Sequence, residues 1–518
     1  MRKHAFIASL LLLAAGAALA YWITQVWSYT MDDSYITFRY ARNLAAGLGP
    51  VFNESGPRAE GYTSFLWVVI MAIPHLLKID AVLFSKVVGI AAIVGSFVVL
   101  FLFVLRTTTF LGEGQRLIFA ALAVAMIASF PMTAIHAVSG METAVSTLLF
   151  AAFFYACALF MERPTKRLAI ACGLLGLLLG LARPEGNLVV VVAFACMVFM
   201  APPEARRHLP LGIVVAYGVP ITLYFLWRYA YFGLVAPLSF YVKVSGAPHG
   251  MGRVARYLFE ALSVPVALGV LGMSKPSKGV VPAVVGTVVF CLFFLYPAHI
   301  MSPAYRFLYP ATPIIVVLAS IGLARIFVHL AREESPSAPK ARLHRRYAPI
   351  IVGLIWLAAV APLPARSEIA ASRAYAGGME RAHIPLGRLL GHIGPLSAKP
   401  VLAIADAGAV PYLSGWQTID ILGLNDAHIA VTGDHSAHYL FSYHPDVVVL
   451  ISKYPQVYAP PPGGWQDPCY EACEANHMQK VVVLEFARGA YYLWVYARPG
   501  SQIARAIERN AGSWLGVH

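Results

Sequence analysis

The stretch Gly61-Tyr62-Thr63-Ser64-Phe65-Leu66-Trp67-Val68-Val69-Ile70-Met71-Ala72-Ile73-Pro74-His75-Leu76-Leu77 decides how the whole chain is arranged. It is apolar but short, carries Pro74 and His75, and follows a polar loop. Length alone does not say whether it crosses a bilayer, which needs about 20 residues. Its surroundings do. An uncharged run extends from Ala5 to Met31, and further apolar runs lie near 80–105, 116–132, 140–161, 168–182, 187–201, 210–231, 254–273, 279–298, 306–330 and 347–365. If 61–77 lies along the interface, the connections holding Arg106/Arg116, Arg163/Lys166/Arg167, Arg206/Arg207, Lys275/Lys278 and Arg332/Lys340/Arg342/Arg345/Arg346 all fall on the side of Arg2 and Lys3. Basic connections concentrate on the cytoplasmic side, so this arrangement is the expected one; a crossing at 61–77 would turn all of them outward. The sequence therefore predicts a polytopic α-helical membrane protein of about 11 spans, with a juxtamembrane helix at 61–77. Residues 29–79, 133–139, 183–186, 232–253, 299–305 and everything beyond about 366 fall on the outer side.

Composition agrees. Of 518 residues, 59% are hydrophobic and 12% charged, against roughly 25% charged in an ordinary soluble domain. A soluble globular protein is excluded. Lys plus Arg number 39 against 25 Asp plus Glu, a formal net charge of +14. The basic residues sit between apolar runs, so this excess reads as a topology signal and not as a nucleic-acid surface. Met1-Arg2-Lys3-His4 and Ala18-Leu19-Ala20 imitate a secretory signal, yet the apolar run is long enough to span, so an uncleaved first helix is expected. Beyond about 366 charge returns and short β-branched runs appear at Val401–Ala405, Val447–Ile451 and Val481–Leu484, which predict a small α/β domain. The expected division is 1–365 for the membrane part, with 29–79 as its first external loop, and 366–518 for an extracytoplasmic domain. Cys469 and Cys473 could pair or bind a metal, but C-x3-C without a second pair makes zinc a poor reading. His435, His438 and His444 lack ligand spacing.

The outward segments hold the residues that could carry chemistry. The first reads Met31-Asp32-Asp33-Ser34-Tyr35-Ile36-Thr37-Phe38-Arg39-Tyr40-Ala41-Arg42-Asn43-Leu44. It predicts a helix capped by Asp33 or Ser34, ended by Gly47 and Pro50, and lying on the membrane surface. Two adjacent carboxylates would stand where lipid headgroups meet water, although such a pair can also do no more than favour a helix dipole. Further short polar signatures are Glu60-Gly61-Tyr62, His136 with Ser139-Gly140-Met141-Glu142-Thr143, Arg183-Pro184-Glu185-Gly186, Tyr241-Val242-Lys243, and His299 with Tyr305-Arg306-Phe307. Singly each reads as a solvated turn or an interfacial anchor. Together, at membrane depth, ionisable groups mark a pathway or a site because they are costly near hydrocarbon. In the C-terminal part the densest stretches are Asp406–Gly415, read as a strand-ending turn, and Ile419-Asp420 with Gly423-Leu424-Asn425-Asp426.

The collinear series from Asp32-Asp33 through Tyr35-Ile36-Thr37-Phe38-Arg39-Tyr40-Ala41-Arg42-Asn43, Val51-Phe52-Asn53, Glu60–Ser64, Ser139–Thr143, Arg183–Gly186, Tyr241–Lys243 and Tyr305–Phe307 to Ile419–Asp426 resembles the terminal arabinofuranosyltransferase family. These are GT-C glycosyltransferases of mycobacterial cell-wall synthesis and their bacterial relatives. The resemblance implies a multi-spanning core, juxtamembrane helices after the first span, an extracytoplasmic active site and a soluble C-terminal domain. It further implies a polyprenyl-phosphate-linked sugar donor, the sugar being arabinofuranose, with the acidic pair at Asp32 and Asp33 and donor-phosphate contacts at Arg183, Lys243 and Arg306. Arg39, Glu60, Tyr62, His136, Glu142, Glu185, Tyr241, Asn425 and Asp426 are the expected sugar-binding positions. The location implied is the bacterial inner membrane.

The residues suit this chemistry independently of the resemblance. Breaking a glycosyl phosphate develops oxocarbenium character, as in glycoside hydrolysis. Phosphate is already a good leaving group, so cations that hold the departing charge matter more than a general acid. The acceptor hydroxyl loses its proton during attack, and a carboxylate can take it. Asp32 is the expected base, with Asp33 on a sugar hydroxyl or on a divalent cation such as Mg, Mn or Ca; no cofactor is otherwise required. The acceptor would be a glycan, protein or lipid. Rival readings change the sugar to mannose or aminoarabinose, change the acceptor to pilin, flagellin or lipid A, or make the chain a lipid-linked-sugar flippase or exporter.

Overall fold

The computed structural model describes residues 2–243, 250–273, 277–296, 303–333, 363–393 and 400–514. Within them every expected apolar run as far as 306–330 is helical. The run at 347–365 and the basic positions Lys275, Lys340, Arg342, Arg345 and Arg346 lie essentially outside the described residues. In chain order the first helices are α1 (Arg2–Val26), α2 (Asp32–Ala45), α3 (Phe65–Leu77), α4 (Ala81–Thr107), α5 (Glu113–Ser129), α6 (Pro131–Val138), α7 (Thr143–Glu162), α8 (Lys166–Ala182) and α9 (Pro184–Met200).

Among the described residues 5 helices are long and apolar enough to cross a membrane, or up to 7 if two bent pairs each count as one span. The bends have local causes. Between α5 and α6 the chain turns by 67° because Phe130 is extended ahead of Pro131, which cannot continue the preceding helix. The second pair turns by 84° where Leu262 leaves helical dihedrals. Two of the remaining expected spans, α9 and Val281–Phe293, are apolar helices of 17 and 13 residues.

The chain forms two compact units. One comprises Met1–Trp27, Ser85–Leu226 and Ser245–Ala370; the other comprises Ser28–Phe84, Trp227–Val244 and Ala371–His518. In the first, α1 packs on α5, α7 on α8, α9 on Val281–Phe293, and Ser263–Gly272 on Thr312–Glu333. The last crossing is close: a Cβ on Gly322 would overlap the carbonyl oxygen of Leu268. Small residues at such contacts let helices approach where apolar lipid gives no drive for association.

The second unit is built on a five-stranded sheet of order β2-β1-β3-β5-β4, with β1 Val401–Ile404, β2 Gln417–Asp420, β3 Val447–Ser452, β4 Gln479–Ala487 and β5 Tyr491–Ala497. β1 pairs in parallel with β2 and β3, while β5 runs antiparallel to β3 and β4. Val447–Leu450 are buried on both faces, which is why this strand reads as a continuous apolar run.

Two juxtamembrane expectations meet this unit. α3 is 13 residues long, rising about 20 Å, short of the roughly 30 Å of a hydrocarbon core. Ser64 caps it by accepting the Trp67 N–H, and Lys78 ends it in the left-handed conformation. Trp67, Val68 and Met71 are buried while Val69, Ile73, Leu76 and Leu77 are exposed, the two-faced pattern of a helix lying along an apolar boundary. The helix at 32–45, expected on the membrane surface, is instead buried along most of its length and packs on α3 and on Ala409–Ser414. Its expected cap is also corrected. Met31 is the cap residue, its side chain makes no capping hydrogen bond, and Asp32 is already helical.

Candidate active site

Asp32 does not cap its own helix because its carboxylate is engaged elsewhere: Oδ1 accepts the Ala409 N–H at 2.8 Å. Its backbone N–H donates to the Tyr375 hydroxyl at 3.1 Å. Ala409 follows the turn that leaves β1, and Gly408 in that turn lies so close that a Cβ would overlap the Asp32 carboxylate. The turn is anchored by Asp406, whose Oδ2 receives the Tyr491 hydroxyl and stands 2.9 Å from Nε2 of His383. Asp32 is 9% exposed and Asp33 half-buried. Burial pushes the Asp32 carboxyl up to about 7, the neighbouring His383 opposing and Asp406 reinforcing the shift. The same carboxylates, Asp406 by hydrogen bond and Asp32 by charge, outweigh burial at His383 and raise it. A carboxyl group poised near neutrality is suited to taking a proton.

Several of the expected sugar-binding residues in this unit have protein partners. Arg39 has five N–H donors, and they meet Phe52 O, Pro411 O, Thr418 Oγ1, Asn53 Oδ1 and Trp416 O. With its donors taken, Arg39 ties α2 to the sheet region in place of the expected sugar contact. Glu60 forms a buried ion pair with Arg228, so it too is a strut. Asn425 is bonded through its amide to Asp420 at 2.8 Å and accepts from the Tyr40 hydroxyl at 3.2 Å. Burial raises Asp420 to about 7 despite the N–H groups of Leu422, Gly423 and Asn425 directed at it. Asp426 caps Ala427–Thr432 by accepting the Ile429 N–H and also receives the Tyr439 hydroxyl. The ring of Tyr62 packs edge-on to Tyr40 at 4.9 Å. Tyr241 is 40% exposed, and Lys243 ends the helix Leu238–Lys243.

The other unit gathers a second set. Arg183, between α8 and α9, binds Glu142 at 2.5 Å and also Glu185, all three nearly solvent-free. Its guanidinium lies 4.7 Å from the ring centre of Phe307, and that of Arg306 lies 4.6 Å from the same ring. The two arginines expected at the donor phosphate therefore meet one aromatic ring. Arg183 arrives there already balanced by two carboxylates. His136 Nε2 meets Ala304 O at 2.9 Å, and its ring packs on Tyr309 at 4.5 Å. Ala304 and Tyr305 both have positive φ, 49° and 56°, a strained pair held next to Arg306 by the Glu368 carboxylate on the Ala304 N–H.

Arg228, His383, Gly408 and Tyr491 were not singled out from the sequence. Arg228 carried a usable signal, a lone cation inside the apolar run 210–231. The other three are distinguished only by what folding brings to them. Among the described residues no group of three or more His, Cys, Asp or Glu could hold a metal ion. Cys469 and Cys473 are free thiols buried in the second unit.

A family model described as a domain of unknown function (DUF8728) matches residues 373–505. The chain is 27% identical over 278 residues to the terminal beta-(1->2)-arabinofuranosyltransferase of Mycobacterium tuberculosis, covering 50% of this chain and 42% of that protein. It is 30% identical over 103 residues to the enzyme of the same name from Corynebacterium glutamicum, covering 18% and 15%. The chain thus spans less than half the length of the curated relatives it matches. In structure it is similar to ArnT from Cupriavidus metallidurans in the apo state, with a TM-score of 0.59 at 12% identity over 96% of this chain and 98% of that one. ArnT bound to undecaprenyl phosphate gives 0.58 at 12% identity over 95% and 99%. The oligosaccharyltransferase of Archaeoglobus fulgidus gives 0.54 at 11% identity over 86% and 69%. The chain therefore has the fold of the GT-C membrane glycosyltransferases and is related in sequence, over half its length, to the terminal arabinofuranosyltransferases.

Proposed function

We propose that the chain is a membrane glycosyltransferase that moves a sugar, arabinofuranose, from a polyprenyl-phosphate donor to a glycan or protein acceptor on the extracytoplasmic side of a bacterial inner membrane. The observation that carries this reading is the acidic pair at the head of α2, with Asp32 fixed and raised toward neutrality. The arabinofuranosyltransferase relatives support the sugar, and the fold likeness to a protein bound to undecaprenyl phosphate supports the lipid carrier.

In this reading the acceptor hydroxyl attacks the anomeric carbon of the donor. The new C–O bond forms as the bond to phosphate breaks, the hydroxyl proton passes to Asp32, and the polyprenyl phosphate leaves with the electron pair. Asp33, the more accessible carboxylate, binds a hydroxyl of the sugar or acceptor. Lys243, in the same unit as Asp32, takes the donor phosphate as a point charge; Arg306, in the other unit, is a second cation whose guanidinium offers paired donors to a phosphate. Arg183, neutralised by Glu142 and Glu185, packs on the Phe307 ring that Arg306 also meets. Apolar surface between the membrane helices, such as the groove of about 620 Å³ lined by Val191, Phe194, Val214, Tyr217 and Leu223, suits a prenyl chain.

The test is transfer from labelled polyprenyl-phosphate arabinofuranose by purified protein, with Asp32→Asn and Asp33→Asn checked for folding. Loss in Asp32→Asn with partial retention in Asp33→Asn is expected; full activity in both would end the base assignment. A second reading keeps the carrier and changes the sugar to mannose or aminoarabinose. The same assay with other labelled sugars separates the two. Transport without product in sealed vesicles would instead favour a flippase or exporter.

A further inference from the structure

Asp32 is held by chain nearly 380 residues further on. The turn that grips it leaves the C-terminal end of β1, and β1 lies between its parallel partners β2 and β3. The chain goes to one side of β1 for β2 and returns to the other side for β3. In open α/β sheets ligands bind in the crevice at such a crossover, outside the carboxyl ends of the strands. Here the group lodged there is the carboxylate of Asp32. The Ala409 N–H donates to Oδ1 at 2.8 Å, and Gly408 leaves space that no side chain could share. Behind the turn, Asp406 is fixed by His383 Nε2 and the Tyr491 hydroxyl. His383 is 1% exposed, its ring stands edge-on to Phe486 at 5.0 Å, and its Nδ1 has no hydrogen-bond partner among the described residues. Tyr375, which accepts the Asp32 N–H, packs on the same Phe486 at 5.2 Å. A largely buried polar cluster of this kind is costly unless its geometry is used.

We infer that the turn 405–409, backed by Asp406, His383 and Tyr491, is a positioning element of the active site: it sets where the Asp32 carboxylate stands, so the sheet region is part of the catalytic apparatus. The inference rests on the reading of Asp32 as the base. Asp406, His383 and Tyr491 act through the turn and are positioning residues.

The test uses the full chain in detergent or nanodiscs. Gly408→Ala should lower kcat by roughly 10²-fold, the scale expected of a misplacement of about 1 Å, and leave KM for the prenyl-phosphate donor within about threefold. If that variant does not fold, Asp406→Asn, which keeps shape and removes charge, should lower kcat by about tenfold or more with the melting temperature little changed. His383→Gln, retaining a donor, should recover part of what His383→Leu loses. A merely structural cluster would lower the yield of folded protein while leaving kcat per folded molecule intact, and that result would overturn the inference. Hydrogen exchange decides independently of activity. In Asp32→Ala the amides of 405–412 should exchange faster than in the unmodified protein, and equal protection would overturn the proposed grip. If the unmodified protein transfers nothing from prenyl-phosphate sugars, the functional reading fails while the exchange result still decides the positioning.

Discussion

Asp32 and the two carboxylates on Arg183 are all buried, and chemically they are opposite. Glu142 and Glu185 both sit on the Arg183 guanidinium, so their charge is satisfied and fixed. Asp32 has a backbone N–H, and among the described residues no lysine or arginine forms an ion pair with it; burial then raises its proton affinity. The same functional group, buried in each case, becomes a strut when ion-paired with an arginine. Lacking one, it keeps a proton within reach. Glu60 on Arg228 repeats the strut within the same unit as Asp32, so the difference follows the partner and not the region.

This contrast can be broken by substitution. Asp32→Asn should cut turnover by roughly 10²–10⁴-fold, the usual contribution of a positioned base, while leaving the melting temperature at neutral pH equal or higher, because a neutral amide suits a site that disfavours charge. A marked loss of stability instead would place Asp32 among the struts. Arg183→Leu should do the reverse. It strands two buried carboxylates and should cost about 3–5 kcal/mol of stability, seen as aggregation or a strongly lowered melting temperature; retention of full stability would show that the triad is not an ion cluster. Arg228→Met should behave the same way at Glu60.

A smaller effect sharpens the comparison through pH. The base acts unprotonated, so kcat/KM should rise with pH and level off above about 7. Stability should run the other way. The folded protein holds protons on Asp32 and Asp420 that the unfolded chain releases at lower pH, so this contribution is largest in acid and is lost as pH rises through about 7. Asp32→Asn should remove its share of that decline; an identical slope in the variant would show that Asp32 titrates as an exposed acid. The smallest effect belongs to an ordinary cap: Ser64→Ala should cost about 1 kcal/mol with kcat unaltered.

Much of the membrane architecture was legible because hydrophobic length is a local property. The runs that became α1, α4 and α7 could be read from composition alone, and the short helix at 65–77 followed from the placement of basic residues. β1, β3 and β4 announced themselves as β-branched runs. β5, Tyr-Tyr-Leu-Trp-Val-Tyr-Ala, carried an aromatic strand signal that was passed over, whereas β2 at four residues was too short to stand out. The breaks at Phe130 and Leu262 were not separated from continuous spans, although Pro131 signalled the first.

The candidate site divides along the same line. That acids follow the first span, that cations recur between later spans, and that the chain cannot be soluble were decided by residue type and order. What each charged group does was decided by its partner, and partners separated by hundreds of residues leave no local trace. Arg39 became scaffold because five acceptors converge on it, Glu60 because Arg228 reaches it, and Asp406–Ala409 ceased to be a plain turn because Asp32 lies against Gly408. Hydrophobic burial is additive along the chain, so a sequence can state it; the availability of a buried charge depends on the geometry of its neighbours, which only the folded chain supplies.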